Sequence, residues 1–352
     1  MSLSAELNSR TRFLRACRGE SVDRVPVWIM RQAGRYLSAY RAIREKHAMM
    51  TVLNTPELAV QVTLLPVDTF DLDAAIIFAD LLPPLIGMGL SVEFVPGKGP
   101  VIHNPLRTNK AIDRLSVPPA EETMAPTLEA IRLVRPELNS REMPLIGFAG
   151  APFTLASYAI EGGATRDFAH TKTLMYHEPA AWNRLMLKLV GVVVDLLKSQ
   201  VGAGADCVQV FDSWAGALGR YDYQRFVQPY SRMVFEQMGN AVPVIHFSTG
   251  TSAYLDLIAA AGGHVIGVDW RMDLDAAQDI VQRPVMGNLD PGTLLGPWRE
   301  LRPHVDDVLT HMHGRGGHVF NLGHGILPNT PVDNVRRMVD YVHSGDWAHG
   351  RS

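Results

Sequence analysis

The chain is 352 residues long, with 47% hydrophobic and 20% charged residues and a formal net charge of −3 at pH 7. These values fit a chain that buries a sizeable core and exclude disorder over its length, and the slightly acidic balance excludes nucleic acid and membrane surfaces as whole-chain partners. Cys17 and Cys207 are the only cysteines, too few for a disulfide framework or a cysteine-rich zinc site. Met1 to Arg12 reads as no export signal, and the apolar run Leu189 to Val194 stops at Asp195, so a reducing cytoplasm is expected.

Eight short β-branched runs bounded by Pro or Gly predict buried parallel strands. The first, Val25 to Met30, opens a basic stretch containing Arg31, Arg35, Arg41, Arg44 and Lys46. A charge run is commonly a solvated helix face, but arginine grips carboxylates through two parallel hydrogen bonds, so a polycarboxylate pocket is an equal reading. Thr55-Pro56-Glu57 signals a helix start. The second strand, Ala75 to Phe78, leads to Asp80, which reads equally as a functional carboxylate or a helix cap.

The third strand, Pro144 to Phe148, runs into Gly150-Ala151-Pro152-Phe153-Thr154, whose small residues read slightly more readily as close strand–helix packing than as room for a flat ligand to approach the backbone, and Tyr158 follows. The fourth, Asp206 to Phe211, is followed by Asp212-Ser213-Trp214. The remaining four are Val242 to Phe247, His264 to Val268, Pro284 to Gly287 and His318 to Leu322. His311-Met312-His313 lies on an expected helix whose geometry turns the two rings about 200° apart, so these read as surface histidines and no metal is expected. His324, held between Gly323 and Gly325, reads as a group aimed into a cleft. Thr330-Pro331-Val332-Asp333 signals the last helix.

Strands alternating with amphipathic helices predict an α/β fold, a closed (β/α)8 TIM-type barrel with extra N-terminal helices and long early βα loops, with a doubly wound open sheet as the alternative. By length alone, one domain and two are equal readings. Arg31, Asp80, Gly150, Asp212, Ser248, Asp269, Asn288 and His324 each follow a strand and are expected to face one mouth. Phosphate-loop, dinucleotide and GxSxG signatures are missing, so no nucleotide cofactor or hydrolase elbow is indicated.

The stretches Pro26-Val27-Trp28-Ile29-Met30-Arg31-Gln32-Ala33-Gly34-Arg35-Tyr36 and Gly147-Phe148-Ala149-Gly150-Ala151-Pro152-Phe153-Thr154-Leu155 resemble the two signature segments of the uroporphyrinogen decarboxylase family. The resemblance runs from about Arg12 to about Val342. It implies a single distorted barrel domain over 1–352 with its core from about 12 to 342, a homodimer, and cofactor-independent loss of CO2 from the acetate side chains of uroporphyrinogen. By motif, the implied substrate residues are Arg31, Gln32, Arg35, Asp80, Phe148 with its neighbouring backbone groups, Tyr158, Ser213 and His324, of which Asp80, Arg31 and Tyr158 carry the catalytic expectation. The wider family includes zinc-dependent methyltransferases that use a His-x-Cys pair. Here His246-Phe247-Ser248 puts serine in place of that thiolate, which argues against that branch. A tetrapyrrole carrier without turnover and an inactive barrel are the readings from other classes.

Overall fold

A computed structural model describes residues 6–95 and 97–348, so Met1 to Ala5 and the far C-terminus of the expected 1–352 domain lie outside the described residues. Seven parallel strands form one curled sheet: β1 (Ala75–Ile76), β4 (Leu145–Gly150), β5 (Cys207–Asp212), β6 (Val244–Ser248), β7 (Val265–Gly267), β8 (Val285–Leu289) and β9 (His318–Leu322). Consecutive strands are neighbours in that order. A separate antiparallel hairpin, β2 (Val92–Val95) with β3 (Gly99–Ile102), occupies the long segment between β1 and β4. Helices cover the outside of the sheet, and among the described residues four precede β1, as the early intervals predict.

The expected first strand, Val25 to Met30, is reduced to a single parallel bridge between Val27 and Phe320. Pro26 has no amide hydrogen to donate, and its carbonyl accepts from Phe320 at 2.9 Å. Side chains replace most of the missing ladder. The Val27 amide donates to Asp73 Oδ2 at 2.9 Å, the Ile29 amide to Gln32 Oε1 at 3.1 Å and the Met30 amide to Asn321 Oδ1 at 2.9 Å. Asp73 completes the exchange by donating its own amide to the Val27 carbonyl at 2.7 Å. The ring is therefore closed by carboxylate and amide side chains wedged between β9 and β1.

Strand alternation sorts the side chains into two layers. Ile146, Cys207, Ile245, Val265, Met286 and Val319 fill the barrel interior together with Trp28 and Met30. Phe13, Ala16 and Cys17, from helix Ser9–Cys17, join that cluster at the N-terminal ends of the strands. Val208, Val210, Val244, Ile266 and Val285 face the helices in the larger core. The same alternation corrects one expectation. Asp212 and Ser248 continue the outward parity of their strands and are buried against the helix layer rather than facing the mouth.

Asp73 is the hub of the closure. It is fully buried, and its carboxylate also accepts from Arg12 at 2.7 Å and from His343 at 2.8 Å, joining the first and last described long helices to the seam. Burial opposes the His343 cation, but the hydrogen bonds its ring donates to Asp71 and Asp73 outweigh it and raise its pKa above the ordinary value. Asp73→Ala strands the Arg12 guanidinium, 2% exposed, without its innermost partner. Chemical denaturation is expected to show a loss of about 3–5 kcal/mol; a loss under about 1 kcal/mol would mean that Asp23 alone compensates Arg12.

Candidate functional site

Arg31 takes the left-handed conformation, φ 62°, immediately after the seam. That conformation is costly for a residue with a Cβ and turns the side chain across the mouth. Two glycines make room for it. A Cβ on Gly34 would come within 2.9 Å of the Arg31 carbonyl, and one on Gly325 would meet Arg31 Cδ at 2.5 Å and Cγ at 2.9 Å. Within the basic stretch, Arg41 donates to the carbonyls of Arg35 and Tyr36, and Arg44 to that of His47. Arg31 and Arg35 are exposed and form no ion pair among the described residues.

Asp80 is half-buried past β1, where its Oδ1 accepts the Leu82 amide at 3.0 Å. It therefore braces a turn, as the cap reading expects, while standing at the mouth. Burial raises its pKa above the ordinary carboxylate value, and the Leu82 amide and the Arg31 charge pull the other way. Tyr158 sits on helix Pro152–Glu161, where every other residue from Pro152 to Ile160 is buried. Its hydroxyl pKa is raised by burial and by the Asp80 charge, and lowered by Arg31. Its ring meets Trp214 edge-on at 5.6 Å.

His324 is half-buried, and burial together with the Arg31 charge lowers its pKa. The imidazole is thus neutral at pH 7. Its Nδ1 accepts the Gly325 amide at 2.7 Å, which leaves Nε2–H as a donor. Arg31 is the charge that acts on Asp80, Tyr158 and His324 alike. A chain of rings ends on His324. Phe148 meets Phe211 at 5.5 Å, Phe211 meets Phe247 at 5.8 Å and Phe247 meets His324 at 6.4 Å, all edge-to-face. Ser213 is half-buried on the loop after β5, where its carbonyl accepts from Thr249 at 2.8 Å.

Two expected site groups are engaged elsewhere. The Gln32 amide is fully buried in the seam, accepting from Ile29 and donating to the Ala74 carbonyl at 3.2 Å, so it holds the backbone that carries Arg31. The Phe148 carbonyl accepts Gln200 at 2.9 Å, and the residue's ring is what faces the mouth. Asp269 and Asn288 are likewise tied into loop backbone: Asp269 accepts from Gly250 and Arg271, and Asn288 donates to the carbonyls of Asp269 and Met272. Sequence reasoning assigned no role to Trp214, Phe211 or Phe247; the aromatic residue next to Ser213 and the Phe before Asp212 and Ser248 were the available signals. Asp273, Asp307 and His311 bring ligand atoms within 4.8 Å of one another on the outer surface. The two carboxylates are exposed, and His311 is paired with Asp275 at 3.0 Å, while His313 packs on Trp347.

The family model described as uroporphyrinogen decarboxylase (URO-D) matches residues 8–345. The chain belongs to the uroporphyrinogen decarboxylase family. Relatives bearing that same name include a protein of Roseiflexus sp., 51% identical over 95% of this chain and 98% of its own, and one of Solibacter usitatus, 52% identical over 94% and 96%. Among solved structures, a methyltransferase from Methanosarcina mazei aligns with a TM-score of 0.82, covering 97% of this chain and 100% of its own at 20% identity. That likeness concerns the fold. In this chain the His246 ring is buried against Phe235 at 4.6 Å, and Ser248 bonds Thr251 at 2.6 Å, both in the helix layer.

The path of Arg31 over Gly325 can be checked directly. Gly325→Ala places a methyl group on that path, so the guanidinium must move while the fold stays intact. Affinity for an octacarboxylate ligand is expected to fall about tenfold, the weight of one charge-assisted bond. Titration calorimetry with an unchanged affinity would show that Arg31 does not need the groove.

Proposed function

We propose that this chain is a uroporphyrinogen decarboxylase, converting the four acetates of uroporphyrinogen III to methyls and giving coproporphyrinogen III and four CO2. What supports the reading is that the Arg31 charge acts on Asp80, Tyr158 and His324 alike, with His324 at the end of the Phe148–Phe211–Phe247 chain of rings and Arg35 exposed. Each turnover adds a proton to the pyrrole carbon beside the acetate-bearing carbon. The carbon–carboxylate electrons collapse into the resulting cation, CO2 leaves, and a second proton reaches the new methylene as the ring proton departs. One proton is consumed per acetate. The pyrrole is its own electron sink, so the reading requires neither cofactor nor metal.

In this scheme Asp80 faces the pyrrole N–H groups and balances the positive charge of the protonated ring. A partly desolvated carboxylate suits that role, because water screens it little and ring protonation offsets its burial. Arg31 and Arg35 bind peripheral carboxylates and, with Phe148 and the other floor rings, orient the macrocycle. Tyr158, Ser213 and the Nε2–H of His324 supply neutral donors. Gln32 acts through the seam that sets Arg31. Arg31 also remains the proposed proton relay, with the guanidinium a very weak acid. The reading further assigns the chain to one barrel domain, to the cytoplasm and to a homodimer whose partner is a second copy. Among the described residues no helix is long and apolar enough to cross a membrane.

Incubation with the uroporphyrinogen isomers, followed by oxidation and counting of product carboxylates, is expected to show stepwise loss from eight to four, undiminished by EDTA. Binding without a change in the count would make the protein a carrier, and turnover abolished by EDTA and restored by one metal would overturn the cofactor-free scheme.

Asp80→Asn keeps size and one acceptor oxygen but removes the charge. The folded variant is expected to bind substrate and to lose roughly 10²-fold or more in kcat, the effect of deleting an electrostatic stabiliser. Full kcat with an unchanged melting curve would return Asp80 to a turn-bracing role alone.

A further inference from the structure

Asp212 lies directly behind the pocket wall and takes no part in the scheme above. It ends β5 with its side chain in the helix layer, fully buried, and no cation among the described residues faces it. Its Oδ1 accepts the Thr154 hydroxyl at 3.2 Å, and Oδ2 has no partner among the described residues. The Thr154 hydroxyl oxygen in turn accepts the Trp214 amide at 3.3 Å. Thr154 belongs to the helix that carries Tyr158, and the Trp214 ring is the one that meets Tyr158. A single hydroxyl thus ties a buried carboxyl to the turn that presents Ser213 and Trp214.

The turn is otherwise closely confined. A Cβ on Gly216 would run into Thr249 and Gly250, and the Tyr254 hydroxyl donates to the carbonyls of Ala215 and Leu218. That leaves the Thr154 bond as the side-chain hold on the Trp214 amide.

We propose that Asp212 is a positioning residue: ionised, it holds the Ser213–Trp214 turn against Tyr158 through the Thr154 hydroxyl, and protonation loosens that hold and weakens substrate binding. A charge-assisted bond is roughly twice as strong as a neutral one, so the ionised carboxyl grips Thr154 harder. Burial without a counter-ion opposes ionisation and pushes the carboxyl pKa up to about 7, against which the Thr154 bond acts. The other titratable groups facing it are the phenols of Tyr223, from helix Arg220–Phe226, and of Tyr254. Both are raised above the ordinary tyrosine value by burial and by Asp212, so both stay neutral between pH 6 and 8.

The effect on substrate rests on the decarboxylase reading; the link from Asp212 to Trp214 does not, and the two are measured separately. The protein is labelled with 5-fluorotryptophan, and Trp214→Phe is used only to assign the Trp214 fluorine resonance. In the substrate-free protein that resonance is expected to titrate with a midpoint near pH 7, and to be flat in Asp212→Asn and Thr154→Val. Thr154→Ser, which keeps the hydroxyl, restores the titration. With uroporphyrinogen, KM of the wild type is expected to rise as pH falls from 8 to 6. Asp212→Asn and Thr154→Val should hold a KM about tenfold higher at pH 8, with kcat within about threefold. A Trp214 resonance that does not titrate, or titrates equally in Asp212→Asn, overturns the link, and an unchanged KM in both variants overturns the positioning role. If Asp212→Asn does not fold, the Thr154 pair reads the same link. A titrating resonance in a protein that turns over no uroporphyrinogen upholds the link and overturns the decarboxylase reading.

Discussion

The closure of the barrel hangs on one buried carboxylate. Asp73 receives the Val27 amide, Arg12 and His343 at once, and its own amide meets the Val27 carbonyl. A parallel barrel has no free edge only if its last strand pairs on both sides. Here the segment that should pair contains Pro26 and runs into a residue with φ 62°, so regular pairing stops after one bridge. A side chain can reach backbone donors that a second strand cannot, provided that its own charge is balanced. Arg12 supplies that balance from the helix closing the opposite end of the barrel.

This irregular seam has a consequence at the mouth. Because Val25 to Met30 is not held as a straight strand, the chain leaves it abruptly and Arg31 swings across the opening over Gly325. The Gln32 side chain, turned inward, fixes the bend by bonding both Ile29 and Ala74. Adjacent residues therefore divide the work: one secures the backbone and the other points its charge at the cleft. Arg41 and Arg44 are bound up in local backbone contacts, so that of the run's arginines only Arg31 and Arg35 are left without an ion pair or backbone carbonyl among the described residues.

The electrostatics of the mouth follow from the same arrangement. Asp80 and Tyr158 rest among apolar neighbours that disfavour their charged forms, while His324 is kept neutral. One exposed arginine acts on all three. A site of this kind can take up anionic side chains at its rim while keeping the centre dry enough for a developing cation to feel a single carboxylate strongly. Asp212 is subject to the same desolvation one layer behind, without a counter-charge among the described residues.

Two long segments around Arg31 and Gly150, read with the run of β-branched strands, determined the family resemblance, the parallel α/β architecture and the candidate residues at the mouth. That much is local. Strand periodicity and backbone-approach glycines leave their mark within a few neighbouring residues. Partners chosen across the fold were not legible. Nothing near Asp73 announces Arg12 and His343, 61 and 270 residues away in sequence. Nor does anything near Gln32 tell whether its amide turns to the cleft or to Ala74. Strand parity, fixed only once register is known, turned Asp212 and Ser248 away from the mouth and brought Phe148, Phe211 and Phe247 into one floor. The sequence alone determined which chemical groups stand near the strand ends. The tertiary structure decided which face the cleft, because that depends on register and on which distant group satisfies each buried polar atom.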